Sequence, residues 1–87
     1  MLIRRLYAHE RRRYADHLKR LAAADRRLRF ASAGMSDERI DAHVTSIDIN
    51  DLILAAFDGD TVVGAAHVAI NGGVAEVGVS VDSDHRT

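Results

Sequence analysis

The stretch VAEVGVSVD at positions 74–82 is where residue types and spacing could do chemistry. Strand alternation puts Val74, Glu76, Gly78, Ser80 and Asp82 on one side and Ala75, Val77, Val79 and Val81 on the other. The valine side calls for a core. The other side holds a carboxylate beside two very small residues, which leaves room for a ligand to approach the backbone. The carboxylate is Glu76, whose plain reading is a strand acid satisfied by an arginine or by solvent. The strand then runs into the charged sequence Asp82-Ser83-Asp84-His85-Arg86-Thr87.

Other chemistries find little support. His9 and His17 are eight positions apart, not at the i, i+4 spacing of a helical zinc pair, and His43, His67 and His85 are isolated. His67, between Ala66 and Val68, reads as an ordinary strand residue. The acidic runs DIND and DSDH lack the later glycine and glutamate of a calcium loop and read as turns. No Walker loop and no Gly-x-Ser-x-Gly is present. The absence of cysteine excludes a disulfide framework, a thiolate metal site and a cysteine nucleophile. No metal is expected.

The elements that must position these residues fall into two textures. MLIRRL is short and apolar enough for a first strand or the lead-in to a helix. From Ala8 to Ala24 the pattern predicts one amphipathic helix, with Tyr14, Leu18, Leu21 and Ala22 on a single face. Tyr7, Tyr14, Leu21 and Leu28 also repeat every seven residues. The complementary seam of Arg11, Leu18 and Asp25 is too charged for a coiled coil, and helix packing is the expected role of both tyrosines. Gly34 breaks the chain. Ser36 then caps a second helix, with Asp37 and Glu38 in its first turn and Ile40, Val44 and Ile47 on its apolar stripe. Three strands follow at 52–58, 61–70 and 74–82, joined by the tight-turn sequences DGD and NGG. The expected fold class is α+β, in the order strand, helix, helix, strand, strand, strand, with the last three an antiparallel meander packed on two helices.

Charge is unevenly spread over the 87 residues. Residues 1–30 hold ten Lys/Arg and three acids, residues 31–87 two Lys/Arg and ten acids, or about +7 against −8. A basic helical part packed on an acidic remainder explains this most simply; nucleic-acid binding through a basic helix spanning 4–29 is the rival. No apolar run reaches the roughly 18 residues of a membrane span. No apolar segment with a cleavage site opens the chain. The cytoplasm is the expected location, with no membrane partner.

Taken in order, DRRLRF (25–30), SDERIDAHV (36–44), LAAFDGDTVVGAAHVAI (54–70) and AEVGVSVDSDHRT (75–87) resemble the GNAT superfamily of acetyl-CoA-dependent N-acetyltransferases. The resemblance spans nearly the whole chain and implies that residues 1–87 are the N-terminal portion of such a domain. It implies acetyl transfer from acetyl-CoA to an amine-bearing acceptor by direct attack. It places Val79 and Val81 along the pantetheine arm, with Glu76 as the strand carboxylate that serves as base. Arg86 and Thr87 would open the Arg/Gln-x-x-Gly-x-Gly/Ala loop, whose N–H groups cradle the pyrophosphate. The glycines of that loop would fall at positions 89 and 91, beyond the 87 residues, so poor cofactor binding and little activity are expected of this chain alone. The alternative is a non-catalytic module, a homo-oligomer joined through the edge of its last strand.

Overall fold

The computed structural model describes residues 2–31 and 35–85. Its elements are β1 (Leu2–Leu6), a 3-10 turn at Ala8–Glu10, α1 (Arg11–Arg20), α2 (Ala23–Phe30), α3 (Asp37–Ser46), β2 (Leu52–Asp58), β3 (Thr61–Asn71), β4 (Val74–Val81) and a closing 3-10 turn at Ser83–His85. The fold is α+β, as expected. All four strands form one antiparallel sheet in chain order, β1-β2-β3-β4. Both predicted hairpins form. At the second, Gly72 and Gly73 take φ of 56° and 82°, a left-handed pair that suits the strand twist and that side chains disfavour.

The helical part departs from expectation. Residues 8–24 do not make one helix, and residues 4–29 are a strand, a turn and two helices. Leu21 and Ala22 are extended, although RLAAAD holds neither glycine nor proline. A helix broken there leaves carbonyls that need donors. Arg26 serves two of them: its guanidinium donates to the carbonyls of Lys19 and Leu21, and it also donates to that of Met35 ahead of α3 and contacts Asp37 Oδ1 at 3.0 Å. The break keeps Leu21 in the core while turning α2 toward β4. Leu28 is 82% exposed, so the seven-residue repeat builds no seam. Of the two tyrosines, Tyr14 is fully buried and Tyr7 is exposed. Helix α3 begins as expected, with the Ser36 hydroxyl accepting from the Arg39 amide at 3.2 Å and Ile40, Val44 and Ile47 buried. Gly34 lies outside the described residues.

The basic segment is tied to the rest of the chain largely through backbone carbonyls. Arg11 donates to Ile47 and Asp48, Arg13 to Asp60, and Arg20 to Val62. Arg4 instead grips Glu10 with two hydrogen bonds of 2.8–2.9 Å, and with the Tyr7 amide it holds that carboxyl at a pKa of about 2.

The face of β4 that packs on the helices is the reverse of the expected one. Val77 and Val79 are 60% and 61% exposed, while Ser80 is buried. Register explains it. The hairpin pairs Ser80 with Ala65 and Gly78 with His67, and the β2–β3 pairing sets Ala65 and His67 beside Ala55 and Ile53. Those two β2 residues lie in the core with Leu6 and Phe57, so the small and polar residues of β4 must share their side. A bulge gives β3 an extra residue, Val63, and buries Val62 and Val63 together. The opposite side of the sheet presents Ile3, Leu54, Ile70, Val77 and Val79 to solvent.

Candidate functional site

Helix α1 carries His17 on its buried side, one turn after Tyr14, and thereby aims an imidazole at the small residues of β4. The ring is wholly buried. Its Nε2 lies 2.8 Å from Ser80 Oγ and its Nδ1 lies 2.9 Å from Asp82 Oδ1. The second contact is short but off-line, and neither atom has an aligned hydrogen-bond partner among the described residues. Asp82 is held by its own amide, which donates to the Val63 carbonyl at 2.8 Å, and Arg20 Nε stands 3.8 Å from its other oxygen. Burial lowers the His17 pKa below 6.5. The Asp82 carboxylate works against that, the Arg20 cation reinforces it, and the net shift is downward. A neutral ring beside a carboxylate carries its proton on Nδ1, so Nε2 accepts from the Ser80 hydroxyl. Serine, histidine and aspartate thus stand in a row, on residues 63 positions apart in the chain at the first step.

A second group of polar side chains lies farther toward the hairpin end of the same face. The Arg29 guanidinium rests on the backbone of Gly78, where an added Cβ would come within 2.3 Å of Arg29 Cζ. Arg29 Nη2 donates to Tyr14 Oη at 2.8 Å, and its Cζ lies 4.7 Å from the Phe30 ring centre. Arg29 Nε is buried without a hydrogen-bond partner among the described residues. Desolvation raises the Tyr14 pKa above 10.0. His67 Nε2 meets Asp51 Oδ2 at 2.8 Å, and the His43 ring stands edge-on to His67 at 6.1 Å. Burial, with the Arg29 cation and His67, lowers the His43 pKa. His43, His67 and Asp51 line a recess of about 590 Å³. Among the described residues, no group of three or more His, Cys, Asp or Glu is arranged to hold a metal ion.

The residues singled out in the sequence are not gathered at one point. Glu76 is exposed on β4, in register with Ala69. Val79 and Val81 project to the opposite side of the sheet from Ser80, yet both help to line a groove of about 220 Å³ between α2 and β4, with Leu21, Leu28, Arg29 and Ser80. Arg86 and Thr87 lie outside the described residues. The sequence reading missed His17, Asp82 and Arg29 as polar partners of β4. No spacing rule links α1 and α2 to a strand some fifty or more residues later. The usable hint was Gly78 and Ser80 within a valine-rich strand, since small residues there mark a close approach, here by Arg29 and His17. No family profile, no curated protein and no solved structure matches this chain.

Proposed function

We propose that the chain is the N-terminal portion of a GNAT-type acetyltransferase domain, which passes an acetyl group from acetyl-CoA to an amine by direct attack. The observation that carries this reading is the groove between α2 and β4, with Val79 and Val81 in its wall. Among the described residues β4 has β3 as its one strand neighbour, so the groove runs beside a sheet edge. An extended, amide-bearing ligand pairs naturally with such an edge, and the pantetheine arm of coenzyme A is one. A strand N–H there would polarise the thioester carbonyl. Glu76, exposed on the same strand, would take the proton of the amine. The order of elements, ending in a β2-β3-β4 meander packed on helices, also supports the reading. The 87 residues contain no Gly-x-Gly, so the acyl end of the site is expected here without its phosphate cradle.

Titration of the labelled protein with S-acetyl-pantetheine and with acetyl-CoA, followed by amide chemical shifts, tests this. The expected result is millimolar binding of both, with shifts concentrated at Val79–Val81 and no gain from the nucleotide. Absence of shifts on β4 removes the reading, and micromolar binding driven by the nucleotide contradicts its account of the missing loop.

The exposure of Val77 and Val79 beside the sheet edge favours a second reading, a self-associating module in which β4 pairs antiparallel with β4 of another copy about a two-fold axis. Sedimentation should then show a dimer that Val79→Lys converts to monomer. A parent chain that stays monomeric at high micromolar concentration rules this out.

A further inference from the structure

We propose that Ser80 is a nucleophile that accepts a short acyl group from an activated ester or thioester, with His17 as its general base and Asp82 as the residue that positions His17. The inference does not depend on the family reading, because direct transfer between acetyl-CoA and an amine needs no acyl-serine.

The parts required for such a step are present together. Ser80 Oγ is 2.8 Å from a ring nitrogen that can accept its proton. Asp82 Oδ1, 2.9 Å from the other nitrogen, favours the tautomer in which Nε2 is bare. The ring is kept neutral by its burial, as a base at neutral pH must be. Ser80 is 7% exposed and is among the residues that line the groove between α2 and β4. At about 220 Å³ the groove suits a short acyl chain rather than a long one. The polar side chains lining it besides Ser80 are Arg29 and Asp25. Arg29 lies over Gly78, two positions along the strand on the same side as Ser80, and brings a buried N–H with no hydrogen-bond partner among the described residues. A buried donor without an acceptor has been desolvated without return; an oxyanion forming next to it would supply the acceptor.

The step balances without a further reactant. Ser80 Oγ bonds to the acyl carbon as its proton passes to His17 Nε2, giving a tetrahedral oxyanion beside Arg29. The bond from carbon to the leaving oxygen or sulfur then breaks, and the leaving group departs with the proton from His17. Water attacking the resulting serine ester by the same route regenerates Ser80 and releases the acid.

Two probes distinguish the acyl sources: p-nitrophenyl acetate for an ester, and S-acetyl-N-acetylcysteamine for a thioester. With at least one of them the folded protein should release one equivalent of leaving group in a burst and gain one acetyl group, which peptide mapping places on Ser80. His17→Gln should slow acylation by about 100-fold or more. Ser80→Ala should abolish the burst. Should that variant not fold, Ser80→Cys keeps a nucleophile in place and should be acetylated at the same position. Unfolding the parent in urea should remove the reactivity. The proposal is overturned if neither probe gives a burst, if the acetyl group maps to Lys19 or any residue other than Ser80, or if the urea-unfolded chain reacts as fast as the folded one.

Discussion

The two sides of the sheet contrast in composition and in use. The side under the helices mixes large apolar residues, Ile53 and Phe57, with a buried serine and a glycine that lies beneath an arginine. The outer side is apolar at Ile3, Leu54, Ile70, Val77 and Val79, and these remain exposed. Hydrophobicity alone would have assigned the core of β4 to the valines. What decided otherwise is that a strand cannot choose its side independently of its neighbours: once β2 commits Ile53, Ala55 and Phe57 to the helices, the register of β3 and β4 is settled. Ser80 is then buried and requires a partner, while Glu76 on the same side stays exposed nearer the hairpin. His17 answers Ser80, Asp82 stands against the far side of the His17 ring, and Arg29 fills the space left by Gly78.

The contrast can be broken most sharply by deleting matching groups from each side. Ile53→Ala removes a side chain that is 1% exposed and should cost about 2–5 kcal/mol. In a chain of 87 residues that can approach complete unfolding. Val79→Ala, at 61% exposure, should change the stability of the monomer by no more than about 0.5 kcal/mol. Urea titrations below the concentration of any self-association check both, and similar losses at the two sites would dissolve the distinction.

A smaller effect concerns the buried polar row. Replacing His17 by Phe leaves the Ser80 hydroxyl and the Asp82 carboxylate facing an apolar ring, for a loss of about 1–3 kcal/mol. The pH dependence should change with it. The native ring has a pKa below 6.5, so between that lowered value and 6.5 the unfolded chain binds more protons than the folded one. Stability therefore rises with pH through that window and levels off above about 6.5. In His17→Phe this part of the slope disappears. Urea midpoints collected across the window would show it, and an unchanged slope would mean that His17 is not the group responsible.

Smaller than the losses at Ile53 and His17 is the one expected at Gly78. An alanine there collides with the far end of Arg29, which can swing aside but gives up its contacts with Tyr14 and Phe30. A cost of about 1 kcal/mol is expected, that of one hydrogen bond. Arg29 works to lower the Tyr14 pKa, so its displacement should raise that pKa further, and the decisive readout is an altered near-ultraviolet signal from Tyr14. A variant with parental stability and spectrum would place Arg29 elsewhere.

The fold was largely legible in the sequence wherever a signal is local. DGD and NGG located both hairpins because turns of that length need particular backbone conformations, and Ser36 announced α3 because a helix start needs an acceptor. The break between α1 and α2 was not legible, since nothing in RLAAAD disfavours helix; Arg26, several residues on, donates to the Lys19 and Leu21 carbonyls there. The candidate site was legible only in part. Glu76, Val79 and Val81 could be named from alternation on one strand, whereas the facing residues His17 and Arg29 could not.

The sequence by itself determined the α+β class, the antiparallel hairpins and the presence of small residues in a valine-rich strand, because each depends on neighbours in the chain. Only the tertiary structure decided which side of that strand is buried and that a serine, a histidine and an aspartate would meet. Those outcomes depend on register across four strands and on the angle at which two helices cross them, quantities set by packing at long range.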